Sequence, residues 1–369
     1  SLNTIEEHSF SDDNKYKKIA DNIFFDFNFI IYNNLSSLEK EINEIIKIFY
    51  CLEHVDKKIL YKKLLNILNK NYWKICREDV ILLFNNNNFN GFKKLLKKQI
   101  NISYITNIKK EKLINYLFYY KIYYYIIKKL KQVHYIEFIK CIHLFFDGIP
   151  EYSKILEQRR RRTKNFLESK LRKEFFEKYF TDMENDIIQD NNLTYNYFDW
   201  LNNKFSINKS IGPSSDLIIN LGKFLNFRLK NYFSNVSVSI SSGLEYGESD
   251  NKIFKFIHKN NLLNDIVIHT CDSDLIHQIL IQQTYFNLIQ KNANLSVIRY
   301  YTRESQCAQL IEAKKIIKII LKKYNDLNKK SNENKINYKI IYDLMILIYF
   351  FGNDYLPSSL ELSYEINLN

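Results

Sequence analysis

The sequence predicts an α/β fold: a parallel-sheet core with helices on both faces and one large helical insertion. Two observations predict it. Four short apolar runs each end in acids, and helical patterns separate them. Strands alternating with helices define a parallel sheet, whose ligand site lies beyond the carboxyl ends of the strands. Those are the ends where the acids stand.

The first run is Ile23-Phe24-Phe25, closing on Asp26. The second, Ile142 to Phe146, closes on Asp147, and the third, Ile266-Val267-Ile268, leads to Asp272 and Asp274. Their length and their β-branched or aromatic content suit strands buried on both faces. The fourth, Met345 to Phe351, leads to Asp354 and fits a strand or the end of a helix equally well. Helical patterns occupy 214–230, after Gly212-Pro213-Ser214, and 252–260, after Gly247. Residues 33–140, rich in Lys, Ile, Leu, Asn and Tyr, carry helical spacing such as Leu60, Leu64, Leu65 and Leu68. They form the expected insertion between the first two strands of a single domain spanning 1–369. A polar tip at Asn85 to Asn88 lies inside it, and Asn325 to Asn337 reads as a surface loop.

The 369 residues are 46% hydrophobic, ample for a buried core, which excludes a disordered chain. With 28 Tyr and 27 Phe against 7 Gly and 3 Pro, the composition carries the imprint of AT-rich codons. The same bias inflates Lys, so the net charge of +13 points only weakly to a polyanionic partner, nucleic acid before membrane. The consecutive Arg159, Arg160, Arg161 and Arg162 say more. Five cysteines without a C-x-x-C pair read as reduced thiols of an intracellular protein, cytoplasmic first and nuclear second. The most apolar stretch, 114–130, is broken by lysines and reads as a helix for a core or a partner, not a membrane span. Ser1 in place of Met suggests a start other than the native one.

Two constellations carry chemistry. Asp26, Asp147, Glu248, Asp250, Asp272, Asp274 and Asp354 stand at successive strand or helix ends, and 248/250 and 272/274 are acid-x-acid pairs. An acid-x-acid spacing directs both carboxylates to one side of an extended segment. Carboxylates gathered at one sheet edge repel each other unless cations neutralise them, and oxygen ligands of this kind suit two Mg²⁺ or Mn²⁺ ions. One such acid alone would be read as a solvated loop residue or a helix cap. The second constellation is Lys154, Gln158, Arg161 and Arg162, just after Asp147-Gly148-Ile149-Pro150. Offsets of 0, 4, 7 and 8 put them on one helix face, where cations and guanidinium forks make a phosphate pocket; a solvated basic helix is the plainer reading.

These residues carry a resemblance. Phe25-Asp26-Phe27-Asn28, Asp147 to Pro150 with Lys154, Gln158, Arg161 and Arg162, Ser242 to Ile253, Asp272 to Ile276, and Gly352 to Pro357 occur in the order found in the XRN family of 5′→3′ exoribonucleases. The resemblance runs from about 23 to 357 outside the insertion. It implies a core of the PIN or flap-nuclease type, the seven acids as catalytic metal ligands, and Lys154, Gln158, Arg161 and Arg162 as a pocket for a 5′-monophosphate. The implied substrate is single-stranded RNA with a 5′-monophosphate, released as nucleoside 5′-monophosphates in RNA decay; a protein partner is expected through 33–140.

The sequence departs from the family in places. An opening Gly-Ile-Pro-Lys-Phe-Phe segment is absent, and the sequence stops soon after Pro357, where the family continues. Tyr32 stands where a base-stacking His is common, a role a phenol ring can also fill. Asp250 replaces a usual Glu, and Lys252 is either a neutraliser of the charge nearby or, on the plainer reading, a surface lysine. Two alternatives are a flap-type 5′ nuclease acting on DNA and a catalytically idle RNA-binding scaffold. The first expects a glycine-rich hairpin after its last acid, and here Asp354 is followed by Tyr-Leu-Pro-Ser-Ser. The second has no use for a divalent-metal cluster.

Overall fold

The computed structural model describes residues 6–9, 17–50, 66, 67, 70, 108–150, 212, 215–260, 262, 264–300, 307–327 and 338–349. It also describes 152, 154–156, 158–160, 163, 164, 166–168, 170, 171 and 174, all helical. The chain divides into two compact units. The first comprises Ser1–Phe29, Lys128–Arg161 and Asn226–Asn369, and the second Ile30–Ile127 and Arg162–Leu225. The expected insertion overlaps the leading segment of the second.

The first unit is built on a seven-stranded sheet. Its strands are β1 (Glu6–Ser9), β2 (Asn22–Asp26), β3 (Cys141–Phe145), β4 (Ser237–Ser241), β5 (Ile266–Thr270), β6 (Leu295–Tyr300) and β7 (Cys307–Glu312). The spatial order is β1-β7-β6-β5-β2-β3-β4. The block β4-β3-β2-β5-β6 is parallel throughout, while β7 and β1 add an antiparallel edge. Thus the α/β expectation holds, with four strands beyond the three apolar runs. From β2 the chain moves outward to β3 and β4, then returns to lay β5 and β6 on the opposite side. The direction reverses between β2 and β5, and the crevice beyond the strand ends at such a switch point is where α/β proteins bind ligands. Asp26 ends β2, and Asp272 follows β5 by two residues.

Every residue of β2 and of β5 is buried, which explains their unbroken apolar runs. Alternate residues serve opposite faces. Phe24 points to one, against Phe145, His143 and Phe256, while Phe25 stacks on His269 at 4.5 Å on the other. The Phe24 face is covered by helices α4 (Ser249–Lys259), α5 (Asp274–Leu288), α6 (Ala313–Leu327) and α7 (Lys339–Tyr349). Their apolar stripes pack Ile253, Ile257, Leu275, Ile279, Ile317 and Ile341 into a common core. Helix α7 makes the fourth apolar run helical as far as Tyr349: Ile341 and Met345, four apart, are its buried pair.

Three longer helices precede these in the chain: α1 (Asn28–Tyr50), α2 (Ile108–Val133) and α3 (Asp216–Tyr232). Within the second unit, Lys121 on α2 is buried and donates to Ser37 at 2.8 Å and to Glu41 at 3.0 Å, both on α1. Burial lowers the Lys121 ammonium to about 8, against the opposing pull of Glu41. The 114–130 stretch falls in α2, and no helix among the described residues is long and apolar enough to cross a membrane. Cys141 and Cys271 are thiols, as the cysteine spacing suggested.

Candidate active site

The site grows from the ends of β2 and β3. Parallel pairing sets Asp26 level with Phe145, so Asp147 stands just beyond the end of β3. Asp26 is buried. Its Oδ1 accepts from the Ser249 hydroxyl at 2.7 Å and its Oδ2 from the Thr270 hydroxyl at 2.7 Å. Ser249 opens α4, and its backbone N–H donates to Asp147 Oδ1 at 2.8 Å. One serine therefore ties the two carboxylates together while the positive end of α4 faces Asp147. Asn28, the first residue of α1, donates its amide to Asp147 Oδ2.

The electrostatics follow. Burial first, then the neighbouring Asp147 and more weakly Asp272, push the Asp26 carboxyl up to about 7, against the Ser249 and Thr270 hydrogen bonds. Asp147 is also raised, mainly by burial. Two carboxylates in this state are under-compensated, a condition of the kind a hard divalent cation relieves.

The other acids sit on the same edge with bonds of their own. Glu248 caps α4, and its Oε2 lies 4.0 Å from Lys154 Nζ. Asp250 accepts from its neighbour Asn251 N at 2.6 Å and from Gln278 Nε2, on α5, at 2.9 Å. Asp272 Oδ1 accepts from Asp274 N at 3.0 Å, which fixes the turn into α5. Among the described residues, no three acids converge closely enough to hold a metal ion. The donor chemistry nevertheless suits Mg²⁺ or Mn²⁺: six described carboxylates, all oxygen donors, with buried Asp26 beside half-buried Asp147. Asp354 lies outside the described residues.

Of the pocket residues, Lys154 is buried and Gln158 half-buried, one turn apart on a helical stretch. Arg161 and Arg162 lie outside the described residues. Tyr32 stands on α1, exposed, in the second unit.

Lys252 departs from its reading as a surface residue. It is buried, and its ammonium donates to Phe146 O at 2.9 Å and Ser242 O at 2.8 Å, linking the segments that follow β3 and β4. Burial lowers its pKa while Glu245 and Asp147 hold the charge on. Lys252→Met should strand both carbonyls and cost about 2 kcal/mol, read as a lower urea midpoint. Ser249, Thr270, Asn28 and Gln278 were not anticipated either. Ser249 and Asn28 lie inside the motifs that carried the resemblance, but only the fold shows that their polar groups face the acids.

An open, largely parallel α/β sheet with acids off its strand ends, at a reversal of strand order, is the architecture of a nuclease-like α/β domain. The family model described as XRN 5′-3′ exonuclease N-terminus matches residues 92–299, more than half of the sequence, and the chain belongs to that family. The match takes in the acids from Asp147 to Asp274 and the Lys154 to Arg162 set; Asp26, Tyr32 and Asp354 fall outside it. A protein of Acanthamoeba polyphaga mimivirus, provisionally named a 5′-3′ exonuclease, is 26% identical over 196 residues. That alignment covers 50% of this chain and 30% of the viral protein.

Proposed function

We propose that this chain is a metal-dependent 5′→3′ exoribonuclease that removes nucleoside 5′-monophosphates from single-stranded RNA bearing a 5′-monophosphate. The observation that carries it is the pairing of two carboxylates, buried Asp26 and half-buried Asp147, held together by Ser249 at the switch point of the sheet. Family membership and the name of the viral relative support the direction of cleavage.

Lys154, with Gln158, Arg161 and Arg162, binds the terminal phosphate as a charged, forked cradle. The contact between Lys154 and Glu248 supports a phosphate site beside the acids, from which the first phosphodiester bond is presented to them. Two divalent cations, held by Asp26, Asp147, Glu248, Asp250, Asp272, Asp274 and Asp354, would supply Lewis acidity at the scissile phosphate. Water adds to phosphorus, the P–O3′ bond breaks, and the leaving O3′ takes up a proton. The shortened strand then carries a new 5′-monophosphate, the group the cradle holds. Lys252 and Ser249 keep the acids in place during the cycle.

The test offers end-labelled RNAs with monophosphate, triphosphate or hydroxyl 5′ ends, with Mg²⁺ or chelator, beside a DNA of the same sequence. Rapid loss of the monophosphorylated RNA alone, with Mg²⁺ only, is expected. Equal decay of all three RNAs would remove the phosphate cradle. Preference for the DNA would favour a flap-type enzyme, and no decay of any would favour a binding scaffold.

A further inference from the structure

Beside the acids, the first unit exposes an apolar surface that the cleavage chemistry does not use. Ile149 and Tyr246 are paired in a parallel bridge, and each is more than half exposed. Leu244 and Tyr152, equally exposed, stand close to them in sequence. Ile149 follows Asp147 by two residues, and Tyr246 precedes Glu248 by two. Paired residues of a parallel ladder project to the same side, about 5 Å apart. Ile149 and Tyr246 therefore share one side of the bridge, each two residues from an acid of the candidate site.

The backbone beneath is locked. Gly148 N donates to Gly247 O at 2.9 Å, and Gly247 N to Ile149 O at 2.9 Å. A Cβ on Gly148 would fall 1.6 Å from Glu245 O, so only glycine allows the two segments to approach this closely. Gly247, at φ +102°, holds a conformation that other residues avoid. A rigidly presented ring binds at low ordering cost. One cation accompanies the ring: Lys255 Nζ lies over Tyr246, 5.9 Å from the ring centre. An exposed aromatic ring with a cation over one face matches a nucleotide, whose base stacks on the ring while its phosphate meets the cation.

We propose that Tyr246, flanked by Ile149, is a stacking shelf for one base of a single-stranded nucleic acid, with Lys255 meeting an adjoining phosphate. The shelf rests on the exonuclease reading for its substrate, but not on the chemistry of cleavage. Stacking accepts any base, so the shelf holds the strand without selecting sequence.

The test uses the full chain in chelator, with 5′-monophosphorylated ten-nucleotide RNAs carrying 2-aminopurine at each of the first five positions in turn. One position should lose emission on binding. Tyr246→Ala should abolish that change and weaken binding about tenfold, whereas Tyr246→Phe and Tyr246→Trp keep both. An RNA abasic at that position should bind the wild-type protein about tenfold more weakly and Tyr246→Ala no more weakly still. Wild-type emission and affinity in Tyr246→Ala, or full rescue by Tyr246→Leu, overturns the shelf. Cleavage is scored separately with Mg²⁺. A chain that shows the emission change but cuts nothing keeps the shelf and loses the exonuclease reading; one that cuts while Tyr246→Ala behaves as wild type keeps the reading and loses the shelf.

Discussion

Asp26→Asn should cut hydrolysis of 5′-monophosphorylated RNA by about a thousandfold and, in chelator at pH 8, raise the thermal midpoint of the protein. The two effects have one cause. The carboxyl is buried beside Asp147 and is pushed up to about 7 from an ordinary 3.8, burial being the largest contribution. A carboxyl whose folded pKa lies above its unfolded one contributes stability that is complete below about pH 4 and lost as pH rises through about 7. Asn has the same shape, can still bond the Ser249 and Thr270 hydroxyls, and carries no charge to strand. The midpoint gap between variant and wild type should therefore be near zero at pH 4, open between 4 and 7, and stay open at pH 8. In a chain of this size each kcal/mol of relief is worth about 2 °C. Mg²⁺ should narrow or reverse the gap by binding the wild type more tightly. Melting curves in EDTA and in Mg²⁺ check this, and an Asp26→Asn variant less stable than wild type in EDTA would make the carboxylate a structural acceptor instead. Residues kept at a cost in stability are the ones function demands.

The parts of the fold legible in the sequence were those with a single physical signature. β2, β3 and β5 lie inside the sheet and wear unbroken apolar runs, so periodicity found them. β4 is an edge strand, Ser-Val-Ser-Ile-Ser, with one buried residue among its five; its alternating serines gave no such run. β7 pairs antiparallel with β6 and β1, and its short Cys-Ala-Gln-Leu-Ile-Glu alternation reads as strand only once those neighbours are known. The candidate site shows the same division. Acids at strand ends can be read from one dimension, and their motifs carried the family. Ser249 and Lys252 could not be ranked that way, because a serine between two acids and a lysine after them look solvated until the helix they begin is seen to bury both. The acid-x-acid spacing of Asp272 and Asp274 pointed only to metal binding, whereas Asp272 also fixes the turn into α5.

Acid should unfold this protein through a cluster on the opposite face of the sheet from Phe24, where His269 of β5 meets His134 just past the end of α2. The Nε2 atoms of the two rings are 2.8 Å apart, His134 Nδ1 lies 3.2 Å from Lys18 O, and His269 Nδ1 lies 2.7 Å from the Tyr300 hydroxyl. One proton arrangement satisfies all three contacts with both rings neutral. Lys18 O can only accept, so His134 carries its proton on Nδ1; its bare Nε2 accepts from His269 Nε2–H, and His269 Nδ1 accepts from the tyrosine. A further proton on His134 sets N–H against N–H. One on His269 Nδ1 buries a cation near Lys129. Burial is the main force lowering both rings, His134 to about 4 and His269 well below the usual 6.5, and it also lowers His143 to about 4. A histidine depressed in the folded state contributes stability that is complete above about pH 6.5 and drains away as pH falls toward 4. A depression from 6.5 to about 4 is worth roughly 3 kcal/mol at full protonation. Asp26 pulls the other way over the same range, but three depressed histidines outweigh one carboxyl, so urea midpoints should hold from pH 8 to 7 and drop between 6.5 and 4. His134→Leu alone should cost about 1–3 kcal/mol at pH 7, because it strands His269 Nε2–H. His134→Leu with His269→Phe leaves no stranded N–H between the rings, so its midpoint should decline more shallowly and overtake the wild type at low pH. Parallel slopes for the double variant and wild type would place the acid sensitivity elsewhere. The consequence reaches the candidate site through the chain itself, since Thr270, the partner of Asp26, is the residue after His269: the network that holds β5 in register also holds the edge from which the acids project.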